Sequence, residues 1–326
     1  EQYWTQIDTG RTGAEKYNFY RQNLAGTDTI IFADGVNRAS YFSSGNSVTD
    51  INGTGTPTDP KFVTGHRSTL FFAGMSSNPQ ELIFSAPYSI TDFTAANGAG
   101  SINVENPITG LFPFRDSLII FCEERIFKLV GNSIADFQLL PVSRNVGCMN
   151  GFTIQEFAGD VVFLARDGLR TIAGTERIGD VELGSISTAV HQLFSAYSNI
   201  SEFDSLVVPD KTQYRIFFCD TDARTKARTK GVICHRTEQG YEFSETLGIQ
   251  PSCTDHINED GVVYITHGGY DGYIYRQEQG STFDGTTIIG RYRSPDLTMG
   301  DAGIRKNFQR VIINYAPEGV VNSDLF

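Results

Sequence analysis

The chain has a single tryptophan, Trp4, in 326 residues. That scarcity excludes WD40-type repeats, whose Gly-His…Trp-Asp pair cannot form. Cysteine is scarce as well, with 5 residues at positions 122, 148, 219, 234 and 253. The count is odd and the spacing makes no framework. They read as reduced core residues of a protein made in a cytosol. Basic residues are too few to balance the acids: 26 Lys+Arg stand against 38 Asp+Glu, a formal charge of −12. A surface of that sign does not attract nucleic acid, although nucleic acid can pass it without being held. No apolar run reaches the roughly 18–20 residues of a bilayer-spanning helix, so membrane insertion by this segment is not expected.

What is abundant is a repeated apolar run. Six segments rich in β-branched and aromatic residues begin at Asp28, Ser68, Asp116, Gly159, Gln213 and Asp260. Counted from the third residue of each, they fall at 30, 70, 118, 161, 215 and 262, with gaps of 40, 48, 43, 54 and 47. A period of about 40–50 residues with several strands per unit predicts an all-β, six-bladed β-propeller with antiparallel blades. The 33 glycines and 24 phenylalanines suit many short strands joined by turns.

Each run leads through a turn into a second strand. Asp116–Cys122 leads to Arg125–Val130, Asp160–Ala165 to Leu169–Ile172, and Val262–Thr266 to Asp271–Arg276. Asp-Gly pairs begin at Asp34, Asp167, Asp260, Asp271 and Asp284 and favour tight hairpins over βαβ units. The first run of each repeat is nearly all apolar, as a strand buried on both faces should be. One short helix is expected at Ser187–Phe194, between repeats four and five. Asn46–Pro60 and Ala95–Asn106 read as surface loops. Residues 1–300 are expected to form the propeller. Residues 301–326 are expected to supply a closing strand or to begin a further β-domain, and the chain looks like a fragment of a longer polypeptide.

The search for chemistry returns no catalytic, cofactor or metal residues. Cys234 and His235 are adjacent, but neighbours on a strand point to opposite faces. The histidines at 66, 191, 235, 256 and 267 lack zinc spacing. Cys253, Asp255 and His256 read as loop residues without a second ligand pair. Asp210, Asp220 and Asp222 lack the EF-hand pattern. The nearest approach to a sialidase Asp-box is Ser281–Thr286, with the wrong spacing and no tryptophan. Arg115, Arg215 and Arg291 form no local carboxylate-binding pattern. Gly268-Gly269-Tyr270-Asp271-Gly272 lacks the Lys-Ser/Thr step of a P-loop and reads as a hairpin turn. One charge cluster stands out: Arg224, Lys226, Arg228 and Lys230 place four cations at or near a hairpin tip. They are candidates for contact with a neighbouring subunit or with DNA, although a solvated loop explains them as well.

Several phrases carry a resemblance. They include Ile31-Phe32-Ala33-Asp34-Gly35-Val36-Asn37, the run Gly65–Gly74, Leu82–Pro87 with Asp92-Phe93, Gly110–Phe121, and Arg291–Pro295 followed by Arg305-Lys306. Together the chain resembles the propeller of tail nozzle or tail-hub proteins of short-tailed bacteriophages, also described as tail tube or stabilisation proteins. The resemblance implies a non-enzymatic virion part, made in the host cytoplasm and placed in the tail. It implies a homo-oligomeric ring, a hexamer, below the portal and adaptor. That ring continues the DNA ejection channel and carries fibres or spikes, and it needs no cofactor. A glycan-binding or glycoside-cleaving propeller is the alternative, and a peptide-binding propeller scaffold is the second alternative.

Overall fold

The computed structural model describes residues 6–13, 16–24, 27–43, 47–173, 185–195, 200–218, 230–238, 240–249, 251–283, 285–288, 300–301, 303–307, 310 and 312. They form a six-bladed β-propeller. Blade 1 is β1 (Asn18–Leu24), β2 (Thr27–Ala33), β3 (Ser40–Ser43) and β4 (Ser47–Asp50). Blade 2 is β5 (Phe62–His66), β6 (Thr69–Ala73), β7 (Glu81–Phe84) and β8 (Gly100–Asn103). Blade 3 is β9 (Ile108–Phe114), β10 (Ser117–Cys122), β11 (Ile126–Val130) and β12 (Gln138–Ser143). Blade 4 has three described strands, β13 (Gln155–Phe157), β14 (Asp160–Ala165) and β15 (Gly168–Thr171). Blade 5 is β16 (Asp204–Val208), β17 (Gln213–Phe217), β18 (Lys230–Thr237) and β19 (Gly240–Leu247). Blade 6 is β20 (Pro251–Glu259), β21 (Val262–Gly269) and β22 (Ile274–Arg276). A two-stranded hairpin, β23 (Thr282–Phe283) with β24 (Thr286–Thr287), follows.

Every described pairing is antiparallel between chain neighbours, so each blade is a meander. First strands of successive blades touch, β1 with β5, β5 with β9, β13 with β16 and β16 with β20. They line the axis, and the chain runs outward in each blade. The six predicted runs are β2, β6, β10, β14, β17 and β21. Each is the second strand of its blade, preceded by an axial strand that the repeat pattern did not show.

The core lies between blades. Alternate residues of a second strand point to opposite neighbours. Leu70 and Phe72 join Ile31 and Ala33 on the blade 1 side, while Phe71 and Ala73 join Leu118 and Ile120 on the blade 3 side. Ile119 and Phe121 pack with Val161 and Phe163. Val162 and Leu164 pack with Tyr214 and Ile216. A much smaller cluster of Leu206, Val208, Phe217 and Ile265 joins blades 5 and 6.

The turns have local causes. Asp260 and Gly261 both have left-handed backbone, with φ 52° and 82°, as a two-residue type I′ turn between β20 and β21 requires. Gly65 on β5 faces β1 so closely that an added Cβ would overlap the Tyr20 hydroxyl.

Three expectations are corrected here. Asn46–Pro60 is not all loop, because β4 completes blade 1 within it. Ala95–Asn106 contains a 3-10 turn at Ala95–Asn97 and the outer strand β8. Cys253, Asp255 and His256 lie on β20 rather than in a loop. In all three, short mixed sequences gain strand geometry from the neighbour they hydrogen-bond to. The expected helix is present as a 3-10 turn, Thr188–Val190, leading into α1 (His191–Ser195) between blades 4 and 5. Most of residues 301–326 lie outside the described residues. No described helix is long and apolar enough to cross a membrane.

Candidate functional site

Two polar arrangements stand out against the apolar packing. The first ties the segment before blade 1 to blades 5 and 6. Lys16, just before β1, reaches the start of blade 5, where its Nζ donates to the Phe203 carbonyl at 3.0 Å and meets Asp204 Oδ1 at 3.4 Å. The Lys16 and Asp204 side chains are only 12% and 9% exposed. Blade 6 completes the shell of Asp204, whose Oδ2 accepts from the Thr254 backbone N–H at 2.6 Å and from its hydroxyl at 2.7 Å. The Lys16 ammonium also sits 5.1 Å from the centre of the Phe152 ring, which packs on Phe62 of blade 2. Asn150 binds the carbonyls of Ile200 and Phe203, and Ser205 donates to the Phe152 carbonyl.

Burial pushes the Asp204 carboxyl above the usual carboxylate range, and the Lys16 charge and the Thr254 bonds only partly offset it. A buried carboxylate with three donors is well satisfied, but removing any partner exposes its desolvation cost.

The second arrangement lies between blades 5 and 6. Here Arg215 stands on β17, in a register position that other second strands fill with apolar residues. Its guanidinium is buried and binds Gln213 at 2.6 Å and Glu278 at 2.7 Å. Lys211 also pairs with Glu278. Burial works to raise the Glu278 carboxyl, but hydrogen bonds from Lys211 and Arg215 outweigh it and hold the group below the usual range. Beside them a cavity of about 500 Å³ opens, lined by Arg215, Phe217, His267, Tyr275, Gln277 and Phe283 among others. His267 stacks on Tyr275 with ring centres 5.1 Å apart and planes 20° apart. The Tyr275 hydroxyl donates to Asp271. Burial lowers the His267 imidazole below its ordinary value, so the ring is neutral at pH 7. His267 and Gln277 both line this cavity, but His267 Nδ1 and Gln277 Nε2 are buried away from it and, among the described residues, have no hydrogen-bond partner.

Of the four cations singled out in the sequence, Arg224, Lys226 and Arg228 lie outside the described residues, and Lys230 is described only as the first backbone position of β18. Arg115 is exposed on the β9–β10 turn and Arg215 is buried on blade 5, so these two are not brought together. Arg291, Asp220 and Asp222 lie outside the described residues, and Asp210 sits in the turn after β16. Cys234 is buried, with its thiol pushed up to about 12 by burial. Among the described residues, no three His, Cys, Asp or Glu side chains gather as metal ligands would.

Sequence reasoning missed Lys16, Asp204, Thr254, His267 and Gln277 as site residues. A signal existed for one of these residues, Asp204, and for the second arrangement as a whole in Arg215. Asp204 stands two residues before the apolar Leu206–Val208, and Arg215 interrupts an otherwise largely apolar run.

No protein-family model matches this chain, and no curated protein matches it. Solved structures do. The extracellular domain of a one-component system from B. thetaiotaomicron is similar at a TM-score of 0.50 and 10% identity, covering 83% of this chain and 34% of that one. An ancestral GH74 enzyme is similar at 0.48 and 8% identity, covering 86% and 42%. Streptogramin B lyase is similar at 0.45 and 10% identity, covering 86% and 88%. At such identities the likeness concerns the fold alone.

Proposed function

We propose that this chain is a structural, non-enzymatic propeller of a bacteriophage tail nozzle or hub, part of a homo-oligomeric ring around the DNA ejection channel. The observation that carries the reading is apolar surface exposed, among the described residues, at both ends of the blade series. On blade 1, Phe19 is 63% exposed and Ile30 37%, and register places both on one face. On blade 6, Ile257, Val262 and Ile274 are 43%, 50% and 57% exposed on one face of the sheet. Large apolar side chains grouped on exposed faces favour packing against other protein. The Lys16–Asp204 ion pair adds to this reading, because it is buried and ties the entry to blade 1 to blades 5 and 6. The family phrases in the sequence supply the identity of the assembly, with portal, adaptor and fibre or spike proteins as partners. The acidic balance suits a wall past which DNA slides.

A native mass measurement tests the reading. A ring of several copies, six by the family resemblance, is expected, with an annular particle by electron microscopy. A monomer at every concentration overturns it. Replacing Arg224, Lys226, Arg228 and Lys230 with serine tests the basic segment as a subunit contact. Weaker assembly with a flatter salt dependence is expected, at nearly constant melting temperature. Unchanged assembly at low salt removes that contact from the proposal.

A further inference from the structure

We infer that the segment before blade 1, residues 6–13 with Lys16, is a clasp that joins the first blade to the last two and lets go in acid. This goes beyond the mechanical role proposed above and does not depend on it. The apolar clusters join blade 1 to 2, 2 to 3, 3 to 4, 4 to 5 and 5 to 6; among the described residues, none joins blade 6 to blade 1. The segment supplies polar contacts to both ends of that series.

One end holds blade 1. Ile31 and Ala33 of β2 pack toward blade 2, so Phe32 between them lies on the opposite face. Register sets Phe32, Ser40 and Asp50 in one row on that face. Arg11 lies across the row. Its guanidinium is 4.9 Å from the centre of the Phe32 ring and donates to Ser40 Oγ at 2.6 Å and Asp50 Oδ1 at 3.2 Å. Beside it the Thr12 N–H donates to Asn37 at 3.1 Å, and the Asn37 amide donates back to the Thr12 carbonyl at 3.0 Å. The other end is Lys16, bound to the Phe203 carbonyl and to Asp204, whose second oxygen holds Thr254 of blade 6.

The second hold is the one that acid breaks. Both its side chains are nearly out of water, and a buried pair that loses one charge strands the other. A proton on Asp204 leaves the Lys16 ammonium with the Phe203 carbonyl and the Phe152 ring, and among the described residues no second carboxylate pairs with it. The ammonium regains water only when the segment lifts away. Without Lys16, the buried Asp204 carboxyl binds its proton more tightly. Acid and release therefore favour each other. Burial already holds Asp204 above the usual carboxylate range, so release comes in milder acid than an ordinary aspartate allows. Among the described residues, the titratable groups that face Asp204 are Lys16 and, on β17, the Tyr214 phenol. Burial raises that phenol, so it stays protonated throughout.

The test is hydrogen exchange by mass spectrometry on the intact chain from pH 8 to pH 4, corrected for the intrinsic rate. The amides of residues 6–16, that of Thr12 above all, are expected to lose about tenfold or more in protection, while β6 and β10 keep theirs. Asp204→Asn keeps the shape and fixes the charge at zero. In that variant the segment is expected to exchange fast at every pH, and a lysine-specific protease at pH 8 is expected to cut after Lys16 about tenfold faster than in wild type. Lys16→Gln is expected to abolish the pH dependence too, and serves if Asp204→Asn folds poorly. Three results overturn the proposal. The segment exchanges alike at pH 8 and pH 4; or it loses protection together with β6 and β10, so that acid unfolds the whole chain; or the variants keep the wild-type pH dependence, which assigns it to the Arg11 pairs with Asp8 and Asp50.

Discussion

The second strands of the four inner blades and those of the two end blades have similar sequences and different surroundings. In β6, Thr69–Ala73 is buried at every position, and in β10 and β14 five of six positions are buried. In β2 buried and exposed residues alternate, and in β21 burial is confined to Ile265–His267. Thr29-Ile30-Ile31-Phe32-Ala33 differs little in hydrophobicity from Thr69-Leu70-Phe71-Phe72-Ala73. What differs is whether a sheet covers both faces. Apolarity marks these strands as core, and the order of blades decides how much of each strand is core.

The largest effect expected from this comparison is at aligned phenylalanines. Phe163, fully buried against Phe121, and Phe32, half-buried on blade 1, occupy the same place in their repeats. Phe163→Ala is expected to cost about 3–5 kcal/mol, and Phe32→Ala clearly less. Chemical denaturation measures both, and equal losses break the comparison.

Lys16→Met comes next, because it cuts an axial tie between the entry to blade 1 and blade 5. A loss of about 2–3 kcal/mol is expected, below the usual cost of a broken buried pair because Asp204 can take up a proton. The loss has a pH signature. An acid whose pKa is raised by folding binds protons more readily in the folded state, so stability falls as pH rises past its unfolded pKa. Without Lys16 the Asp204 pKa rises further, and the deficit of the variant is therefore expected to grow from pH 4 to pH 7. A pH-independent deficit removes Asp204 from this account.

Glu278→Gln probes the seam of blades 5 and 6, with an expected loss of at most about 1 kcal/mol because the pair is partly exposed. Glu278 is held below its ordinary pKa. Its contribution is present above the unfolded value and disappears as pH falls through the folded value, so wild type and variant should converge in acid. Divergence in acid contradicts the assignment. The smallest effect is at Phe19→Ser, expected within about 0.5 kcal/mol for the single chain. If the end face is a subunit contact, the same substitution weakens assembly; if assembly is unaffected, the face lies outside the ring contact.

The fold was readable where strands are buried on both sides. Six runs gave the blade number, and the Asp-Gly pairs at Asp167, Asp260 and Asp271 mark hairpins, whereas the pair at Asp34 opens a longer connection from β2 to β3 and Asp284 lies outside the described residues. The axial strand β1, Asn-Phe-Tyr-Arg-Gln-Asn-Leu, carries no such run, and β13 has three residues. These strands are fixed by hydrogen bonds to a neighbour rather than by their own composition. The axial ion pair was illegible because its partners lie 188 residues apart and meet only when the ring forms. The cleft left one readable trace, Arg215 inside an apolar run. Gln277 and His267 have no local pattern, since their lack of partners is a property of the assembled interface.

Gly65 has a consequence for how this chain can change. Its space is taken by the Tyr20 ring of the adjoining axial strand. Any side chain at 65 has to displace the Tyr20 ring or meet a smaller residue at 20, and a smaller residue at 20 by itself leaves the space between β1 and β5 unfilled. Substitutions at the two positions are therefore coupled, each changing what the other can hold.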